Sequence, residues 1–442
     1  MPVLSPEIAV NRFGLGARPG ELAAAARNPQ AWLEGQLGPI TFDEAAGSSR
    51  AVLELLGKRV EGKRAGIPPA MAQDEVKAIV EMGEAMAVDT ISRAITSNRP
   101  FAVRLLDFFS NHFSVSTGPT PMRGLAATLE REAVAPNLGG RFADMLLAVE
   151  RHPAMLTYLS NAQSVGPGSR MGRRQARGLN ENLAREILEL HTLGVDGGYA
   201  QADVRELAMA ITGWSIGLPR RNEEPAFLFR EATHEPGARV VLGRRYEHAG
   251  VAQGESILRD LARHPATAEH LCFKLARHFV ADAPAPALVA AMATRWRETD
   301  GRIPEVMRAL LRHPEALSPL RRKLKTPREF VLSVMRASRL APPRGKTLLG
   351  VLTELGQQAL GAGSPAGFKD VASAWDGAEA LMTRIDWVEQ LGERIRRGEP
   401  PAIARESLGA WLGPRTEAAI QGADSRRQAL SLLFMSPEFL KR

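Results

Sequence analysis

The chain carries one cysteine, Cys272, in 442 residues. A lone thiol excludes an internal disulfide and any metal site built from several cysteines, and leaves Cys272 as a buried structural thiol in a helical run. Aromatic residues are scarce, at 5%. No window approaches the ~20 continuous apolar residues that a membrane-spanning helix needs. The sequence holds no P-loop, no Gly-x-Ser-x-Gly, no Cys-x-x-Cys and no His-Glu-x-x-His. Gly14-Leu15-Gly16 lacks both the preceding strand and the third glycine of a dinucleotide fingerprint, so no nucleotide cofactor is expected. The first residues show no basic segment followed by an apolar one, which sets the expectation of a cytoplasmic protein. Charge of one sign is also lacking: 57 basic against 49 acidic residues give a net charge of +8. The signs are mixed along the chain, so a nucleic-acid partner is not expected.

What is abundant favours helix. Alanine, leucine and arginine dominate, and these lose little side-chain freedom in a helix. Their spacing predicts helices over Gln73–Ser97, Phe142–Glu150, Ala266–Val280, Pro327–Ser338 and Leu348–Leu360, among others. Arg151-His152-Pro153, Arg263-His264-Pro265 and Arg312-His313-Pro314 each close one helix and open the next, with proline at the first helical position and histidine at the N-cap. Thr326-Pro327-Arg328-Glu329 has capping-box spacing. Gly62–Pro69 reads as a loop. Ala162–Gly178, with Arg170, Arg173, Arg174 and Arg177 and no apolar period, reads as an exposed, mobile basic loop. The β signal is confined to Phe227–Tyr246, where Phe227-Leu228-Phe229 and Arg239-Val240-Val241-Leu242 are expected to pair as a hairpin. The expected architecture is therefore a mostly α, large multi-helix globular fold with one short β-hairpin at about 227–246. Residues 1–342 would form the main domain with the hairpin inserted. Residues 343–442 would form a C-terminal helical lobe, bounded near Pro342–Gly345.

The segment richest in candidate chemistry is the helix expected at Asn180–Leu193. At about 100° per residue, Leu183, Ala184, Ile187, Leu190 and His191 share one side. Asn182, Arg185, Glu186 and Glu189 share the other. A carboxylate pair at i, i+3 can hold a cation or keep one acid protonated beside an ionised partner. It can equally be a solvated stripe of ordinary charge pairs. Catalytic candidates are thus Glu186, Glu189, Arg185 and Asn182, and metal-ligand candidates are His191, Glu186 and Glu189. His112 follows a Phe-rich helix end and is either a polar anchor or a pocket residue. His234 sits at the expected hairpin tip. His270, Lys274 and His278 follow one helix face, with the two histidines about 12 Å apart, too far to bind one metal alone. His112, His234 and Lys274 are the binding candidates, and a divalent metal is the cofactor these residue types leave open.

Several motifs occur together in order. They include Asn180-Glu181-Asn182-Leu183-Ala184-Arg185-Glu186, Glu189-Leu190-His191-Thr192-Leu193-Gly194, Gly197-Gly198-Tyr199 with Asp203-Val204, and Thr212-Gly213-Trp214. Asn111-His112-Phe113, His152-Pro153-Ala154-Met155, His234-Glu235-Pro236-Gly237 and Lys325-Thr326-Pro327 accompany them. Spread over nearly the whole chain, this set resembles a bacterial family known as domain of unknown function 1800. The resemblance implies a mostly helical protein but no particular reaction. It also implies frequent export, and a gene neighbour encoding an alkaline-phosphatase-like partner, so that export together with a partner stands as the alternative localisation. It further implies that the 182–189 stripe is a buried polar cluster shared between helices. The family's threonine before Gln-Ala-Asp is Ala200 here, which removes an N-cap hydroxyl. Two functional expectations follow: a binding or accessory protein acting with a partner protein, or an enzyme with a carboxylate–histidine, metal-assisted site drawn from Glu186, Glu189, His191, His112 and His234.

Overall fold

Proline-opened corners punctuate the chain as expected. His152, His264 and His313 each sit at an N-cap, where the ring Nδ1 accepts the backbone N–H two residues on, at 3.1, 3.2 and 3.3 Å. Each thereby satisfies one donor that a helix start leaves unpaired. The computed structural model describes residues 3–64, 73–174, 178–219, 222–343 and 345–442. Of the loop expected at Gly62–Pro69, residues 62–64 continue a helix and 65–69 lie outside the described residues, as do Arg177 and Arg344.

The chain is mostly α-helical. Helices α1 (Glu21–Ala26), α2 (Pro29–Glu34), α3 (Ser49–Arg64), α4 (Gln73–Thr96), α5 (Pro100–His112), α6 (Met122–Leu129), α7 (Phe142–Glu150) and α8 (Pro153–Tyr158) form the first half. After α9 (Asn182–Glu186) and α10 (Gln201–Ala210) come four short strands, then α11 (Val251–Arg263), α12 (Pro265–Phe279), α13 (Pro286–Glu298), α14 (Ile303–Arg312) and α15 (Pro327–Ser338). Helices α16 (Lys346–Glu354) and α17 (Ala378–Gly392) lead to four shorter helices that end the chain. One apolar core gathers side chains from α5 to α14, and a second joins α4 and α15 to the C-terminal helices. Helix α5 is buried on nearly every side, and its Phe101 packs with Phe13 and Phe279, the three ring centroids standing 5.7–6.0 Å apart.

Two of the four strands, Phe227–Phe229 and Arg239–Val241, were legible, but their partners were not. Phe227–Phe229 (β2) pairs antiparallel with Trp214–Ile216 (β1), whereas Arg239–Val241 (β3) pairs with Arg244–Tyr246 (β4). The second pair closes on Leu242-Gly243, both at positive φ (50° and 74°), the geometry favoured in two-residue hairpin turns. This local turn outcompetes the longer connection expected through Thr233–Gly237. The basic loop is not loose either. Gly166 N–H donates to Thr233 O (2.9 Å), Met171 N–H to Ala232 O (2.9 Å), and Gly168 N–H to the Glu235 carboxylate (2.6 Å). Arg170, Arg173 and Arg174 remain exposed on it. Helix α16 stops at Glu354 rather than running to Leu360, because Gly356 turns the backbone at φ 84° and Gln357 N–H bonds back to Leu352 O.

The N-terminal segment enters the core through arginines. Arg336 of α15, 1% exposed, donates to the carbonyls of Gly16, Ala94, Ile95 and Ser97 and binds both oxygens of Glu21 at 2.7 and 2.8 Å. A lysine cannot reproduce this planar fork. Arg336→Lys should therefore lower unfolding stability by roughly 3 kcal/mol in urea titration; a change within about 0.5 kcal/mol, typical of exposed sites, would show that the clamp is dispensable.

Candidate functional site

The 182–189 stripe is not the buried cluster expected of it. The helix begins as α9 and widens into a π-helical turn over Ile187–His191. Leu183, Ala184, Ile187 and Leu188 bury the apolar face, which turns the opposite side outward. Asn182 is exposed. Arg185, with 39% of its side chain exposed, pairs with Glu181 at 3.5 Å and Glu189 at 3.3 Å and donates to Gln201. Glu186 is half-buried; burial raises its carboxyl, and the nearby His191 offsets this in part. The metal candidates His191, Glu186 and Glu189 do not converge, and among the described residues no group of three or more His, Cys, Asp or Glu could hold a metal ion.

A buried polar cluster lies behind this stripe instead. His191 and Glu150 are both 0% exposed, and His191 Nδ1–H donates to Glu150 Oε1 at 2.8 Å. His112 Nε2–H donates to the His191 carbonyl (3.2 Å), and His270 Nε2–H to the Leu190 carbonyl (3.3 Å). Two histidines thus satisfy carbonyls that the end of this helix leaves without intrahelical partners. Lys274 Nζ completes the chain by donating to His112 Nδ1 at 2.9 Å. Burial and Lys274 push His112 well below the ordinary histidine range and His270 down to about 4. Burial lowers Lys274 itself to about 8. Close packing enforces the arrangement: Gly194 turns at φ 85°, and a Cβ there would stand 2.8 Å from His270 Nδ1. The structure therefore brings His112, His191 and Lys274 together. His234 is engaged elsewhere, with Nδ1 bonded to Thr212 O at 2.9 Å.

One turn further along the same face of α12, His278 lines a cavity of about 150 Å³. Its Nδ1–H donates to Asp370 Oδ2 at 2.7 Å. Asp370 Oδ1 accepts from Lys323 Nζ at 2.9 Å, and the same ammonium binds Asp282 at 2.7 Å. Burial lowers His278 despite the pull of Asp370. The imidazole is thus neutral near pH 7, with its Nε2 lone pair buried and without a hydrogen-bond partner among the described residues. Asp370 lies well below the ordinary carboxylate range: burial would raise it, and His278 and Lys323 overcome that.

The facing walls come from distant segments. Glu130 opens a second π-helical turn, Glu130–Val134, and burial raises its carboxyl against the pull of Arg328 and the Ser110 and Thr90 hydroxyls. Arg328 is held by Asp107 at 2.7 Å. Ile91, Val115, Leu352 and Phe368 supply apolar surface. The segment after α16 closes one side, where Asn111 exchanges two hydrogen bonds with the Phe368 backbone at 2.9 and 2.8 Å. Gly367 turns there at φ 77°, and a Cβ would come within 2.3 Å of the Asn111 carbonyl oxygen. The cavity thus joins a carboxylate-oriented imidazole whose pKa burial lowers to a carboxyl whose pKa burial raises. Environments that push two titratable groups toward base and acid in this way suit proton transfer.

Sequence reading placed His278 on the correct helix face but did not single it out. Glu130, Arg328 and Asp370 lie in three separate segments, and no spacing links them. The chain belongs to the family described as "Protein of unknown function (DUF1800)", whose model matches residues 8–441. No curated protein and no solved structure matches it.

The histidine cluster has a direct pH signature. The unfolded chain binds protons at His112 and His270 near the ordinary pKa of 6.5, and the folded chain only well below it, His270 at about 4. Stability contributed by the neutral rings is therefore present above 6.5 and declines as pH falls toward 4. Ring-proton NMR should show both imidazoles still neutral at pH 5.5; midpoints near 6.5 would contradict the assigned burial.

Proposed function

We propose that the cavity beside α12 is an acid–base site acting on a small, mostly apolar molecule that bears a carbonyl or hydroxyl group. The carrying observation is that His278, oriented by Asp370, and Glu130, whose carboxyl burial raises, line one cavity. Its volume matches the size at which an apolar cavity takes up a benzene-sized molecule.

In this reading His278 Nε2 accepts a proton from the substrate. Asp370, itself fixed by Lys323, holds the ring in the Nδ1–H tautomer and stabilises the imidazolium that forms. Glu130 delivers a proton to the oxygen that gains charge, and Arg328, which lines the same cavity and whose charge acts on the Glu130 carboxyl, stabilises that charge. One proton enters His278 and one leaves Glu130, so return of both to their starting states completes the cycle. A carboxylate–histidine enzyme was the alternative that the sequence left beside a binding or accessory protein, but none of the residues named for it there lines this cavity. An accessory role beside an alkaline-phosphatase-like partner draws its support from the family resemblance alone.

Deuterium exchange from D₂O into a panel of small ketones and aldehydes, followed by NMR, tests the proposal. The chain should accelerate exchange for at least one member, and His278→Gln and Glu130→Gln should each reduce that rate by about 100-fold or more while the fold is kept. Exchange at the background rate across the panel, or an unchanged rate in His278→Gln, would refute it.

A further inference from the structure

Cations outnumber anions in the interior around Glu329. This carboxylate is already fully engaged. Oε1 accepts from Arg104 at 2.5 Å and Arg442 at 2.8 Å, and Oε2 accepts from Thr326 N–H at 3.0 Å and Arg442 Nε at 3.3 Å. Two more buried cations stand in the same field. Arg384 is 1% exposed and Lys325 2%. Neither forms a salt bridge among the described residues, and both Arg384 Nη atoms are buried without a hydrogen-bond acceptor there.

Both cations rest on one aromatic pair. Arg384 Cζ lies 5.2 Å from the Phe330 ring centroid and Lys325 Nζ 4.1 Å from that of Phe439, with the two rings 6.4 Å apart. Ring faces attract the charges but offer nothing to in-plane N–H groups. Mutual repulsion adds to burial in lowering Lys325 to about 7. A guanidinium cannot shed its charge in this way, because it stays protonated at any physiological pH. Buried charges in proteins are paired or coordinated.

We propose that Arg384 and Lys325 form a buried site for a small inorganic anion of chloride size, seated at the edge of the Phe330–Phe439 pair. The close aromatic packing, with Phe330, Phe434 and Phe439 each at most 2% exposed, favours a monatomic ion over a bulky oxyanion. The anion would balance the local charge and join α17 to the segment that leads into α15. The proposal is independent of the acid–base reading, since neither residue lines that cavity.

Thermal unfolding of the full chain, with chloride exchanged for gluconate at constant ionic strength, provides the test. The midpoint should rise with chloride and level off as the site fills. In Arg384→Met, which keeps the bulk and removes the charge, the chloride response should be lost while far-ultraviolet circular dichroism is retained. Equal midpoints in chloride and gluconate, or an undiminished response in Arg384→Met, would overturn the proposal. Should Arg384→Met not fold, crystals of the unaltered chain soaked in bromide decide the matter. An anomalous peak between Arg384 Nη and Lys325 Nζ is expected, and its absence there is the contrary result.

Discussion

The contact between Glu329 and two buried guanidiniums is the constraint on which the rest of the molecule depends. Arg104 reaches it from α5 and Arg442 from the last residue of the chain, while Glu329 also closes the capping box with Thr326 that starts α15. Burial alone would raise this carboxyl; the two arginines overcome that and bring it down to about 2. A buried charge left without its partner costs several kcal/mol, so none of these three elements can move off independently. Arg442 also donates to the Phe279 carbonyl, and its backbone exchanges hydrogen bonds with Lys323. Phe279 follows His278, and Lys323 holds Asp370. The knot that caps a helix therefore also fixes the base of the candidate site.

Seen from this knot, the histidines divide by role. Those of the His112–His191–His270 cluster have their ring nitrogens largely occupied by helix-end carbonyls, Lys274 or Glu150. That is the bonding of groups that tie helices together. His191, like His278, has Nδ1 fixed by a carboxylate and Nε2 buried without a hydrogen-bond partner among the described residues, and His278 differs in that its ring borders the cavity. The same helix face thus carries an anchoring half and a half suited to chemistry, separated by one turn at Lys274.

Sequence was most informative where structure is decided locally. The bounds of Pro327–Ser338 were read correctly, because proline at the first helical position and the Thr326–Glu329 box act within a few residues, and those of Phe142–Glu150 were read correctly as well, with the Arg151-His152-Pro153 corner following it. Periodicity also put His191 on the buried side of its helix. It could not identify strand partners, since Phe227–Phe229 is consistent with either neighbour until the tight turn at Leu242-Gly243 claims Arg239–Val241. Nor could it find the cavity. Glu130 and Asp370 are 240 residues apart, and only the packing of α5, α12 and α15 brings their segments to one space. The π-helical turns at Glu130 and Ile187 left no residue pattern of their own. The stripe at Asn182–Glu189 was legible as a stripe; its burial was inferred from family resemblance and not from period, and that inference failed.

The central claim is that one buried carboxylate couples helix α5, the end of α12 and the chain terminus to the candidate site. Hydrogen exchange read by mass spectrometry, comparing the unaltered chain with Glu329→Gln, tests it most directly. The account predicts a joint loss of protection in peptides from α5, from the last turn of α12, and from the paired strands of backbone at Lys323–Lys325 and Leu440–Arg442. A loss confined to the first turn of α15, with α5 and α12 as protected as before, would contradict it.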